Sequence, residues 1–285
     1  MKKKILVIVL AVVVAVAAVL VAVNMNTNKE PEKTTIKIGA SSTPHAEILE
    51  FIKPMMAEKG YEIEVVTYLD YTAPNMHLSD GSLNANYFQH IPYMTLYNET
   101  LPEDQQLVPV IGVHYEPYGV YPGTVSSFGN LQAGDTIAIP NDPANEARAL
   151  NLLANAGLIT LKEGVGISAT VNDIESEVID IEIYEVEAAQ LPRVRQDVAM
   201  AVINGNYAIE AGLSMNDALA VERTDDEVGV AYTNYIVIRP EDVDAEWVKV
   251  LADVITSQEV ADFINNNESY AGGVIPSFIY EAKAE

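Results

Sequence analysis

Residues 36–68 read IKIGASSTPHAEILEFIKPMMAEKGYEIEVVTY, and the spacing of the apolar residues changes twice along them. Ile36–Ala40 is a short apolar stretch of strand type. From Pro44 to Lys59 the residues Ile48, Leu49, Ile52, Met55 and Met56 fall on one helical stripe, and Gly60 provides a stop. Pro54 inside this helix predicts a kink or break, because its ring removes a backbone donor and crowds the preceding turn. Glu62–Tyr68 alternates charged and apolar side chains, as a half-buried strand does. Strand, helix, strand in succession is the unit of an α/β fold, with helices packed on a mostly parallel sheet.

The alternation continues outward. Ala73–Leu78 and Pro92–Asn98 read as short helices and Leu107–Val113 as a strand. After the Gly- and Pro-rich passage Glu116–Gly123 a second group begins: strand Thr136–Ile139, helix Pro143–Ala156 stopped by Gly157, and strands Ile181–Val186 and Val198–Ile203. Asp217–Val221 fits a short helix or a strand. Arg223–Glu227 breaks the pattern, Gly229–Ile238 resumes as a long strand, and Ala245–Asn265 supplies C-terminal helices. Two groups and two interruptions predict two α/β lobes joined by extended crossings near 113–122 and 222–230. Lobe 1 takes residues 36–115 and 229–285, and lobe 2 takes 116–228. In such an arrangement a ligand sits at the carboxyl ends of the strands, between the lobes.

The 285 residues carry 41 acidic and 16 basic side chains, a net charge of −25. Phosphate recognition needs clustered Lys and Arg, so nucleic acid is an unsuitable partner. There is no cysteine, which removes disulfides, thiolate nucleophiles, Cys-type zinc sites and a thioether-linked lipid. Lys2, Lys3 and Lys4 precede nineteen consecutive Ala, Val, Ile and Leu residues, Ile5–Val23. As a helix this run would be about 28 Å long, close to the ~30 Å hydrocarbon core of a bilayer. A retained membrane anchor and a cleaved signal both fit residues 1–24. The run exceeds the roughly 7–15 apolar residues of a signal, and Leu20-Val21-Ala22 at its end offers no small-residue cleavage site, which favours the anchor. Residues 25–35 are a polar tether, and the remainder is exported to the outer face of the membrane, or released as a secreted or periplasmic protein if the segment is cleaved.

Among residues that could carry chemistry, Arg148 stands out. Eleven acids and no lysine or arginine lie between Lys59 and Arg148, and no acid sits three or four positions away on its helix. Asn141 or Asp142 can cap that helix, with Pro143 at its first position. Two readings stay open for Arg148, a bidentate hold on a ligand carboxylate and a tertiary ion pair. Tyr71, Tyr87, Phe88, His90 and Tyr93 cluster in the first group, as core or as a binding wall. Asn204, Asn206 and Tyr207 follow a strand in the second. Asn234 interrupts an apolar strand, where a buried amide needs a partner, structural or ligand. The histidines His45, His77, His90 and His114 show no metal-ligand spacing, no metal or cofactor is expected, and no nucleophile or phosphate-loop motif points to an enzyme.

Several of these residues fall in ordered motifs: Pro44-His45-Ala46-Glu47-Ile48-Leu49, Asp70-Tyr71, Pro74-Asn75, Phe88-Gln89-His90-Ile91-Pro92-Tyr93, Pro140-Asn141-Asp142-Pro143 with Asn145 and Arg148, Ile203-Asn204-Gly205-Asn206-Tyr207-Ala208, and Asn234. Together they resemble the NlpA family of methionine-binding lipoproteins, over about Ile36 to Phe278. The resemblance implies a two-lobed periplasmic-binding-protein fold that closes on one amino acid and delivers it to the permease of a methionine ABC importer. It implies that Arg148 clamps the α-carboxylate with Asn145 nearby, and that Asn204 and Asn234 bond the amino and carboxylate groups. Tyr71, Phe88, His90 and Tyr93 would form a sleeve around the thioether, with His114 lining the site less directly. D-methionine, a methionine dipeptide, another apolar amino acid, or an adhesin or sensor role on the same fold remain alternatives. Members of the family normally carry a lipid on a cysteine after the signal; here Asn24-Met25-Asn26 stands in that place, leaving Ile5–Val23 as the candidate anchor.

Overall fold

The computed structural model describes residues 33–223 and 230–280. The apolar run Ile5–Val23, the tether up to residue 32 and most of the pattern break at Arg223–Glu227 lie outside the described residues.

Strands β1 (Thr34–Ser41), β2 (Tyr61–Tyr68), β3 (Ala85–His90) and β4 (Val108–Tyr115) come first. The chain then crosses to β5 (Gly119–Pro122), β6 (Thr136–Pro140), a two-stranded ribbon of β7 (Ile159–Leu161) and β8 (Ile174–Glu177), β9 (Glu182–Val186), β10 (Met200–Ile203) and β11 (Ala220–Val221). It returns as β12 (Thr233–Ile238) and β13 (Ile275–Ile279). One sheet has the order β13-β4-β12-β3-β1-β2 and the other β11-β5-β10-β6-β9, so the chain leaves the first sheet once and comes back once.

The α/β class is as expected, but the sheets are mixed rather than mostly parallel. β1 runs parallel to β3, and β6 lies parallel to both β9 and β10. β12 is antiparallel to β3 and β4, and β5 is antiparallel to β10 and β11. The crossings account for this. β12 begins at Thr233, which pairs with Tyr115 where β4 ends, and β5 begins at Gly119, which pairs with Val221 where β11 ends. A strand entering a sheet at the end where its neighbour departs must run against that neighbour. The carboxyl ends of β1, β3, β6 and β10 therefore collect around the same two crossings.

Local sequence explains most boundaries. The helices Glu47–Glu58 and Pro143–Asn155 both run out toward a glycine in the left-handed region, Gly60 (φ 89) and Gly157 (φ 76), as helix ends prefer. The first helix begins at Glu47 rather than Pro44, because Ser42–Ala46 form a separate turn in which Thr43 is extended. Pro54 causes no break. It lies on the exposed side, and the Glu50 carbonyl that loses its donor is on that side too, where water can replace the bond. β1 starts at Thr34, two residues inside the expected tether. Residues 230 and 231 are helical, so the long strand expected from Gly229 is confined to Thr233–Ile238. Asp217–Val221 divides into a turn at Met215–Asp217 and strand β11.

Each sheet has its own core. Ile38, Leu49, Ile52 and Met56 pack with Leu251, Ile255 and Ile264 of the C-terminal helices, while Ile137, Ile139, Leu150, Leu153 and Val202 fill the second. At roughly 1.5–3 kcal/mol for each fully buried aliphatic side chain, these cores hold both walls of the cleft rigid.

Candidate functional site

A small cavity lies where the strand ends meet. Its lining takes Tyr71, Phe88, Gln89, His90, Tyr93, Glu116 and Asn234 from the β1–β4 side and its crossings, and Tyr118, Asn145, Arg148, Asn204, Gly205 and Asn206 from the other. Eight of the nine residues expected from sequence therefore meet here. His114 is the exception. It is fully buried behind the cavity, and its Nε2 bonds Glu116 Oε1 at 2.7 Å.

The helix Pro143–Asn155 presents Asn145 and Arg148, both buried. Asp142 caps it, accepting from the Asn145 backbone N–H at 3.0 Å and from the Asn145 amide at 2.9 and 3.0 Å. That fixes the Asn145 carbonyl, which accepts from Tyr118 Oη at 2.6 Å and lies 3.2 Å from His90 Nε2. Arg148 forms the tertiary ion pair left open by the sequence. Its Nε donates to Glu222 Oε1 at 2.9 Å, its Nη2 donates to Glu222 Oε2 at 2.5 Å, and Nη2 also donates to the Glu116 main-chain oxygen at 2.8 Å. Tyr118 and Tyr232 sandwich the guanidinium, each ring centroid 4.1 Å away. Burial opposes both charges, but their attraction outweighs it: the Arg148 pKa is raised and that of Glu222 lowered.

Three aromatic rings of the lining, Tyr71, Phe88 and Tyr93, lie against one another. Tyr71 lies 5.9 Å from Phe88 and from Tyr93 and 5.0 Å from Tyr207, measured between ring centroids. Its hydroxyl donates to Asn206 Oδ1 at 2.5 Å, and Tyr93 Oη donates to the Tyr71 carbonyl at 3.1 Å. Burial, joined by the Arg148 charge, pushes the His90 imidazole down to about 3, so it is neutral at physiological pH.

Behind the cavity a second buried group holds Glu116. His45 Nε2 lies 3.0 Å from Asn234 Oδ1 and 3.7 Å from Glu116 Oε1, and Tyr87 Oη bonds His114 Nδ1. Asn234 thus has the structural partner its position demanded while also lining the cavity. Burial pushes His45 down to about 4 and His114 to about 3, and pushes the Glu116 carboxyl up. His45, His114 and Glu116 are also the group of possible metal ligands among the described residues, with donor atoms within 4.8 Å of one another. The bonds just described already employ His45 Nε2, both ring nitrogens of His114 and Glu116 Oε1, whereas His45 Nδ1 is buried without a partner. Two polar atoms of the lining are buried without a partner, Asn204 Oδ1 and Asn206 Nδ2.

Sequence reasoning did not find Glu116, Glu222 or His45 as members of this site. His45 belongs to the Pro44–Leu49 motif and Glu116 opens the Gly- and Pro-rich passage, whereas Glu222 carries no local signal of its own.

A family model described as NlpA lipoprotein matches residues 36–278. The methionine-binding lipoprotein MetQ of Bacillus subtilis is 38% identical over 253 residues, covering 87% of this chain and 89% of that one. A lipoprotein from Ruminococcus gnavus has a solved structure similar at a TM-score of 0.82, with 46% identity over 86% of this chain and 99% of its own. A nutrient-binding protein from Burkholderia cenocepacia, solved bound to methionine, is similar at a TM-score of 0.79, with 38% identity over 85% of this chain and all (100%) of that one. The chain belongs to the NlpA lipoprotein family.

Proposed function

We propose that this chain is an extracytoplasmic substrate-binding protein that captures one methionine in the cleft between its sheets and presents it to an ABC importer. The observation that carries this is the mixed lining of the cavity: the charged and amide groups of Arg148, Asn204 and Asn234 together with the rings of Tyr71, Phe88 and Tyr93. An amino acid with a polar head and an apolar thioether tail matches both kinds of group, and sulfur makes favourable contacts with aromatic rings. In this reading Arg148 receives the ligand carboxylate through Nη1, the nitrogen left over by Glu222 and the Glu116 carbonyl, with Asn145 beside it. Asn204 and Asn234 bond the head group, and His90 completes the sleeve. His114 acts from behind through Glu116. The role is binding, and no residue is assigned to catalysis.

The two cores support lobe boundaries at 36–115 with 229–285, and at 116–228. Closure of the lobes buries the ligand, and the closed form is the one the permease receives. The apolar run Ile5–Val23 anchors the chain to the membrane in place of a lipid.

A thermal-shift panel of the full-length chain with common amino acids, both methionine enantiomers and Gly-Met tests this reading. L-methionine at a hundredfold excess over Kd stabilises the native state by about 2.7 kcal/mol, which for a chain of this size is roughly a 5–10 °C rise in Tm. A panel in which methionine leaves Tm unchanged while another amino acid raises it would overturn the assignment. A larger rise with D-methionine or Gly-Met would reassign the ligand within the class.

A further inference from the structure

We propose that Glu116 recognises the ligand's ammonium group, its carboxylate being the counter-charge that the cleft keeps for a cation brought by the ligand. The proposal rests on the amino-acid-binding reading above.

The charges of the cavity lead to it. Arg148 and Glu222 are paired through two guanidinium nitrogens and cancel each other. Glu116 is buried, at 5% relative exposure, and it lines the same cavity. Among the described residues no lysine or arginine forms an ion pair with its carboxylate; the ionisable partners are His45 and His114, which burial keeps neutral. The backbone N–H of Asn206 also donates to it. The cavity therefore holds one acidic side chain whose ion-pair distances are to histidines alone among the described residues, an arrangement that favours a positively charged guest. The acceptor Asn204 Oδ1, buried and unpartnered, lines the cavity beside it. An ammonium has three donors and no acceptor, and Glu116 with Asn204 offers it two of the acceptors it needs.

The surroundings fix this carboxylate in place. With Nε2–H of neutral His114 donating to Glu116 Oε1, Nδ1 is free to accept from Tyr87 Oη, so one buried chain of hydrogen bonds sets both tautomer and orientation. Gly205 is what lets the carboxylate approach the turn after β10. A Cβ there would lie 2.6 Å from the Glu116 Cβ and 3.0 Å from its Oε2.

Titration calorimetry of the full-length chain, with L-methionine and with methionine's des-amino analogue, tests the proposal. The wild type is expected to prefer methionine by about a hundredfold, as a desolvated charge pair does. In Glu116→Gln that preference is expected to collapse to within a few fold, with affinity for the des-amino analogue kept, which also shows the cleft to be intact. An unchanged preference in Glu116→Gln would overturn the proposal and leave the methionine reading standing. A wild type that binds neither compound overturns both. Should Glu116→Gln not fold, Gly205→Ala decides, since its methyl displaces the carboxylate: a reduced preference supports the role, and an unchanged one contradicts it.

Discussion

Replacing Arg148 with alanine is expected to abolish methionine binding and to destabilise the protein by about 3–5 kcal/mol, the usual cost of breaking a buried ion pair and leaving one charge behind. The charge left is Glu222, only 10% exposed in its side chain, with Tyr115 Oη as its remaining strong donor at 2.6 Å. Tyr118 and Tyr232 also lose the guanidinium packed between them. The two losses can be separated. Arg148→Met combined with Glu222→Leu removes both charges and fills the space with apolar atoms, so stability is expected to return to within about 1–2 kcal/mol of wild type while binding stays lost. Urea unfolding and methionine calorimetry on the three proteins provide the comparison. A stable Arg148→Ala variant with wild-type affinity would mean that this residue neither holds the crossings nor touches the ligand.

The second large effect concerns acid. His45, His90 and His114 are held neutral by burial, at about 4, 3 and 3, whereas in the unfolded chain each titrates near 6.5. Lowered values of this kind mean that the unfolded state binds more protons below 6.5, so the stability present above that pH is lost as pH falls toward the folded-state values. Each histidine contributes about 1.4 kcal/mol of loss between about pH 7.5 and about pH 5.5, or about 4 kcal/mol for three. Glu116 and Asp142, whose carboxyls burial raises, act in the opposite sense: they take up a proton earlier in the native state and return part of the loss. Glu222, lowered, adds to the loss at still lower pH. Chemical unfolding across this range should therefore show a falling midpoint well above the pH of ordinary carboxylate titration, and His114→Gln should shallow the slope by about one proton. A midpoint flat from pH 7.5 to 5.5 would contradict the burial of these rings.

The α/β class was readable because apolar period and element type are tied together: the stripe Ile48, Leu49, Ile52, Met56 and the alternation of Glu62–Tyr68 each have one solution. Strand β3 escaped this reading. All six of its residues are buried, and Asn86 and Gln89 are satisfied by Asn75 through bonds of 2.6–2.8 Å, so a polar cluster replaces the apolar pattern that marks a strand. The parallel or antiparallel sense of the sheets was hidden for another reason, since it depends on where the crossings enter and not on local periodicity. At the site, Arg148 was conspicuous as a cation isolated within a long acidic stretch. Its partner was not, because Glu222 lies 74 positions away on the second crossing, among many other acids, and only the tertiary fold selects it. Glu116 was obscured in the same way. Its meaning comes from neutral His45 and His114 and from the Arg148–Glu222 pair, contacts that no local spacing records.

The central claim is that the cavity between the two sheets holds one methionine. Calorimetric titration of the full-length chain with L-methionine tests it most directly. The expected result is a saturable heat at one site per chain with a Kd of about a micromolar or tighter, lost in Arg148→Ala and in Tyr71→Ala. Absence of heat with the wild type, or binding that survives both substitutions unchanged, would contradict it.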